Sequence, residues 1–230
     1  MTRTVIPVPA TPCLPVRGSD ALFPVRRIYC VGRNFAEHAK EMGASVDRGN
    51  PVFFMKPADA VVPGGGSVPY PPGTRDLHHE VELVVALDRG SEGVVAVERA
   101  LDLVFGYGVG LDLTRRDLQA AAKAKGLPWD TGKGFDHSAP ASELVPAASA
   151  GDVFSRRIWL TVNGELRQQG QLGDMVFSVA EVLHELSKLF ALKAGDLVFM
   201  GTPSGVAALA PEDHYHAGID GLVELSGRIV

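Results

Sequence analysis

Apolar and polar residues alternate in short runs along most of the chain, and glycine, proline or asparagine closes each run, as in strands joined by turns. The first run is IYCVG over 28–32. Asn34 and Glu37 then have the spacing of a helix N-cap pair, and Gly43 stands where a C-terminal glycine stops a helix, which predicts a short helix over 35–42. VFFMK before Pro57 and HHEVELVVAL over 78–87 read as strands, with a turn at 64–66 between them. A glycine-studded strand, VFGYGVGLDL, ends at Thr114, and Thr114 with Asp117 is expected to cap a helix RRDLQAAAKAK that stops at Gly126. Asn163 and Gly164, between IWLTV and ELRQQ, are a strong hairpin signal. Ser178 and Glu181 form a capping box for VAEVLHELSKLF, and DLVFMG and GLVELSGRIV supply later strands.

Strands outnumber helices and do not alternate regularly with them, so a Rossmann or barrel pattern is disfavoured and a β-rich α+β fold is expected. Residues 1–25 read as an extended, proline-punctuated arm, and 26–230 as one domain. The 26 glycines and 16 prolines among 230 residues agree with many turns, and 46% hydrophobic with 21% charged residues excludes a disordered chain. A net charge of -5 offers no basic footprint for nucleic acid. Cys13 and Cys30 make neither a CxxC pair nor a disulfide framework, which points to a reducing, cytoplasmic compartment. Pro7, Pro9, Pro12 and Pro15 interrupt any signal-peptide core, and no apolar run approaches the ~18 residues of a membrane span.

Three tempting motifs fail on spacing. GYGVG over 106–110 is GxGxG with no acidic residue ~20 positions on, so a glycine-rich strand approached closely by other atoms is the better reading. The stretch 126–134 has five residues between Gly126 and Gly132, and Gly134 where a phosphate loop has Ser or Thr. There is no GxSxG elbow, and His214 and His216 in a polar segment carry no role.

The acidic residues are more informative. A strand period puts His78, Glu80 and Glu82 on one face of HHEVEL, with the two carboxylates about 7 Å apart. Alone, that pair reads as a polar stripe. Asp112 changes the reading, because it ends an otherwise apolar strand and buried carboxylates need a compensating cation. Three acidic oxygens without a Cys or His cluster suit Mg²⁺ or Mn²⁺. His38 and Glu41 share a helix face at i,i+3, where the carboxylate can orient the imidazole as a general base; on spacing alone an ordinary surface pair is the commoner reading. Arg33, Lys56, Arg116 and Lys133 are candidate anion contacts, though each alone reads as a surface cation.

GRNFAEH, FFMKP, HHEVEL, GYGVGLDLTRRDLQ, LPWDTGKGFDHSAP, VNGELRQ and GDLVFMGTPSGV, in that order from residue 28 onward, together resemble the fumarylacetoacetate hydrolase superfamily. Within it the chain is most similar to small acylpyruvate hydrolases, and 129–140 to bacterial fumarylpyruvate hydrolases. The resemblance implies a mixed β-sandwich roll with short helices, commonly a homodimer, around a divalent metal. Carried over by position, it implies Glu80, Glu82 and Asp112 as ligands, His38 and Glu41 as the water-activating dyad on a lid, and Arg33, Lys56, Arg116, Gln119, Lys133 and Thr202 around the substrate. Two positions depart from the pattern: Ala207 and Glu212 stand where glycine is usual.

The activity implied is hydrolysis of the carbon-carbon bond of a 3-acylpyruvate, with fumarylpyruvate, giving fumarate and pyruvate, as the foremost substrate. Lys133 or Gln119 would stabilise the oxyanion, and a cation such as Arg116 would meet the far carboxylate. Two other classes stay open: decarboxylation or tautomerisation of an oxo acid such as oxaloacetate at the same metal, and oxo-acid binding without catalysis.

Overall fold

The computed structural model describes residues 3–41, 43 and 51–230. Its larger sheet runs Val52–Lys56, Arg27–Gly32, Asp196–Phe199, Val81–Leu87, Val104–Leu111, Ala139–Ala141 and Val61–Pro63, with Val145–Pro146 paired beside Val104–Leu111. Every residue of Val81–Leu87 is buried, because both faces are covered. Leu83, Val85 and Leu87 meet a second sheet, joining Ile158, Leu160, Tyr215 and Leu225 in one core. Val84 and Ala86, on the opposite face, pack with Ile28, Leu197 and Phe199 in another. The second sheet runs Glu165–Gln171, Arg157–Val162, His214–Ile219, Val223–Ile229 and Gly65–Val68. Parallel and antiparallel pairs coexist, so the fold is a mixed, β-rich α+β sandwich roll.

Local signals hold where their partners are local. Asn163 (φ 53°) and Gly164 (φ 81°) turn the hairpin between Arg157–Val162 and Glu165–Gln171. The Ser178 capping box opens Val179–Leu189, and Gly126 (φ 64°) closes Arg116–Lys125. The short helix spans Ala36–Glu41, and Gly43 (φ 67°) donates its N–H to Lys40 O; Met42, the expected last residue, lies outside the described residues. A Cβ on Gly110 would stand 2.7 Å from Phe199 and 2.8 Å from Val84, so what the glycine-rich strand admits is the chain's own core.

Four expectations need correction. HHEVEL is not one strand: Leu77–His78 belongs to a small sheet with Thr114–Arg115 and Ala208–Leu209, and the large sheet resumes at Val81. Asn34 is no N-cap, since its side chain donates to Phe177 O and Met200 O and accepts from Phe177 N. Thr114 is no cap either; its hydroxyl donates to Asp112 O. The arm over 1–25 lacks regular structure only as far as Pro12 among its described residues, because Cys13–Val16 and Ser19–Pro24 pair as a hairpin that buries Leu14 and Phe23. No described helix is long and apolar enough to cross a membrane.

Candidate active site and metal centre

The passage from the small sheet to the large one gathers the carboxylates. Glu80 lies between the two strands and Glu82 one residue inside the second; Asp112 directly follows Val104–Leu111, the antiparallel neighbour. Asp112 N donates to Glu80 O at 2.9 Å. As a result the carboxylate oxygens of Glu80, Glu82 and Asp112 come within 4.8 Å of one another, all three residues buried. The polar-stripe reading of Glu80 and Glu82 is thereby excluded.

Three buried or nearly buried cations answer this charge. Lys133 Nζ lies 2.8 Å from Glu80 Oε2, 2.5 Å from Asp112 Oδ2 and 2.7 Å from Thr114 Oγ1. Lys56 Nζ faces Asp112 Oδ1 at 2.8 Å, and Arg116 Nη2 donates to Glu80 Oε1 at 2.5 Å. Burial alone would raise the Glu80 carboxyl, but Lys133, Arg116 and His38 hold it well below the ordinary carboxylate range. Burial also opposes the Lys133 charge, yet Asp112 and Glu80 raise its pKa. Glu82 differs. It accepts one bond, from Gly201 N at 2.7 Å, and among the described residues no cation is in ion-pair contact with it. Burial, then the Asp112 and Glu80 charges, push it well above the usual range. A buried carboxylate without a cation, beside two others and with only hard oxygen donors, fits a divalent metal.

His38 and Glu41 are in contact across one helical turn. His38 is 6% exposed, and its Nδ1 lies 3.1 Å from Glu41 Oε2. Glu41 is itself fixed by Gly205 N at 3.1 and 3.2 Å, so the GTPSGV loop orients the pair. With Nδ1–H donated to Glu41, His38 Nε2 is left as an acceptor. His38 lines the same pocket as Glu80 and Glu82.

The expected substrate contacts divide into two groups. Arg33, Arg116, Gln119, Lys133 and Thr202 line the pocket. Lys56 does not: its ammonium is fully buried, donating to Leu113 O and Lys133 O as well as facing Asp112. Arg116 lines the pocket but is committed to Glu80 and, through Nη1, to Gln119 Oε1 at 2.7 Å, so it is not available for a far carboxylate. The Lys133 ammonium is likewise occupied by Glu80, Asp112 and Thr114 rather than aimed at an oxyanion. In each case a buried carboxylate or carbonyl claims the cation in a low-dielectric site.

Residues 27–230 match the fumarylacetoacetate (FAA) hydrolase C-terminal family. The chain belongs to this family. The crystal structure of a fumarylpyruvate hydrolase from Pseudomonas aeruginosa in complex with Mn²⁺ and pyruvate is similar across 99% of both chains, at 46% identity and a TM-score of 0.94. In sequence, the mitochondrial oxaloacetate tautomerase of Rattus norvegicus is 46% identical over 89% of this chain and 91% of its own length. The mitochondrial oxaloacetate decarboxylase of Dictyostelium discoideum is 38% identical over 86% of this chain and 90% of its own.

Within the family pattern, the structure adds residues that spacing did not single out. Gln168, the last residue of VNGELRQ, is buried; its Oε1 accepts from Val81 N and faces His79 Nδ1, and its Nε2 donates to Thr202 Oγ1. Asn34 ties the start of the His38 helix to the Met200 carbonyl, next to the Gly201 that holds Glu82. Gln168 had no sequence signal beyond membership of a quoted motif, and Asn34 was singled out by spacing only as a helix cap, since their partners lie 89 and 166 positions away.

Proposed function

We propose that this family member hydrolyses the carbon-carbon bond of a 3-acylpyruvate, with fumarylpyruvate, giving fumarate and pyruvate, as the foremost substrate. The observation that carries this reading is a single pocket lined both by His38, oriented by Glu41, and by the carboxylates of Glu80 and Glu82. A divalent cation, Mg²⁺ or Mn²⁺, held by Glu80, Glu82 and Asp112 would supply positive charge for the 2-oxo acid end and for the departing enolate. His38 Nε2 takes a proton from water, and the water oxygen adds to the C4 carbonyl. Glu41 stabilises the imidazolium that forms, through Nδ1. Gln119, its Oε1 engaged by Arg116, keeps its amide N–H groups for the developing oxyanion. Collapse breaks the C3–C4 bond, leaves the acid on the acyl side, and passes the electron pair to pyruvate enolate, which His38 protonates. Thr202 donates a hydrogen bond from its hydroxyl to the substrate carboxylate. Lys56, Lys133 and Arg116 hold the triad in place. The family resemblance also supports a homodimer as the working form, and the sparse, unpaired cysteines Cys13 and Cys30 support a reducing, cytoplasmic compartment.

The identity to oxaloacetate tautomerases favours a second reading, enolisation of oxaloacetate at the same centre without an attacking water. Fumarylpyruvate, acetylpyruvate, fumarylacetoacetate and oxaloacetate assayed side by side with Mg²⁺ or Mn²⁺ separate the two. His38→Ala should lower acylpyruvate hydrolysis by roughly 100-fold or more while metal still binds. Turnover of oxaloacetate alone, surviving His38→Ala, replaces the first reading by the second. Recovery of every oxo acid unchanged rejects both.

A further inference from the structure

The pocket carries more positive charge than the triad engages. Lys56, Lys133 and Arg116 are each in ion-pair contact with a triad carboxylate. Arg33 and Lys123 also line the pocket, and neither has an ion-pair or side-chain hydrogen-bond partner among the described residues. Lys123 stands on the helix Arg116–Lys125, at spacings of three and four from Arg116 to Gln119 to Lys123, so all three share the pocket-facing side. Its ammonium lies over the Trp129 ring, 4.9 Å from the ring centre, on a second residue of the pocket lining. Burial, and then the charges of Arg116, Lys133 and Arg33, lower its pKa to about 8, as befits a cation among cations. Arg33 has a left-handed backbone (φ 61°), which L residues disfavour and which is retained mostly where a side chain must be placed for function.

We infer that Lys123, together with Arg33, forms an anion subsite beyond ion-pair reach of the triad, which receives a second carboxylate at the far end of the substrate. The inference rests on reading the pocket as a 3-acylpyruvate site and narrows the substrate class to acylpyruvates whose acyl chain ends in a carboxylate. Trp129 steadies the ammonium and provides an apolar wall for the carbon chain between the two charged ends. Arg116, the cation expected for this task, is committed to Glu80.

The test uses two ligands of equal length that lack a 4-oxo group and so resist hydrolysis: 2-oxoheptanedioate and 2-oxoheptanoate. They share the 2-oxo acid end and differ only in the terminal carboxylate. Calorimetric titration of the Mg²⁺-loaded protein should show the diacid preferred about tenfold, the scale of one charged hydrogen bond. Lys123→Met should abolish that preference and Arg33→Gln reduce it, while Lys123→Arg keeps it. A wild type without the preference overturns the subsite, as does a preference unchanged in Lys123→Met or an equal loss of both ligands. Hydrolysis is judged separately, by whether the wild type turns over fumarylpyruvate to fumarate and pyruvate; failure there overturns the hydrolase reading and leaves the diacid preference as a result in its own right.

Discussion

Gln168 Nε2 donates to Thr202 Oγ1 at 2.8 Å, and this bond decides where the threonine proton points. The amide orientation is set by its other partners: Oε1 accepts from Val81 N at 3.1 Å and Nε2 also donates to Pro203 O at 2.8 Å. Since the Thr202 oxygen already accepts, its own proton is directed to the pocket that it lines.

Gln168→Glu would set a carboxylate oxygen against Pro203 O and remove the donor to Thr202. Stability should fall by about 1–3 kcal/mol in denaturant titration, the cost of unmade buried bonds. KM for the oxo acid should rise more than kcat falls. Thr202→Val should raise KM about tenfold and lower Tm less than Gln168→Glu does, because one ligand bond is lost and one Gln168 Nε2 N–H is left unpaired while the other keeps Pro203 O. An unchanged KM in Thr202→Val would show that the hydroxyl does not meet the substrate.

His79 makes the fold sensitive to acid. It is fully buried, and burial lowers its pKa from 6.5 to about 4, while its Nδ1 faces Gln168 Oε1 at 2.8 Å. The unfolded chain therefore takes up a proton near pH 6.5 that the native state refuses until about pH 4. Stability falls as pH drops through that window, by about 3 kcal/mol from this group, and levels off below it. His79→Asn, which can still donate to Gln168, should flatten that limb when unfolding free energy is measured from pH 7 to 4.

Glu80 and Glu82 should respond oppositely to neutralisation in metal-free protein. Glu80→Gln strands Arg116 and Lys133, both in contact with its carboxylate, and should lower Tm. Glu82→Gln removes a charge that burial and its neighbours disfavour, and should leave Tm unchanged or higher. Both substitutions should weaken Mg²⁺ or Mn²⁺ binding in calorimetry by roughly 100-fold or more, since each removes one hard oxygen donor. Undiminished metal affinity in both would exclude the triad as the metal centre.

Glu212, where the family resemblance leads to an expectation of glycine, has a backbone φ of 74°. A left-handed non-glycine residue costs about 1–2 kcal/mol, against about 0.5–1 kcal/mol of extra chain entropy for glycine. Glu212→Gly should thus gain about 0.5–1 kcal/mol and raise Tm modestly, despite loss of the exposed 3.4 Å contact with Arg228.

Much of the site was legible in the chain because its spacing is short. Glu80 and Glu82 come from one motif, Asp112 from the end of the glycine-rich strand, and His38 and Glu41 from one helical turn. The dyad pairs a buried His38 with an exposed Glu41, which Gly205, brought in from 164 positions away, holds by donating its N–H. The same range explains the failures. Asn34 and Thr114 look like helix caps locally, but Phe177, Met200 and Lys133 offered them buried partners that a solvent-exposed helix end does not. Once those groups are dry, an unmade hydrogen bond costs more than a missing cap, so the tertiary partner wins.

By itself the sequence determined several of the strands, the hairpin at Asn163 and Gly164, the capping box at Ser178, and which acidic side chains stand out from an apolar setting. All of these follow from interactions within a few residues. Only the tertiary structure decided how the cations are shared. Arg116 reaches Glu80 across 36 positions and Lys133 across 53, while Arg33 and Lys123 are left facing the pocket. No spacing rule encodes that division, because it depends on which carboxylates are removed from water together, and charges in a low-dielectric interior pair by proximity in space.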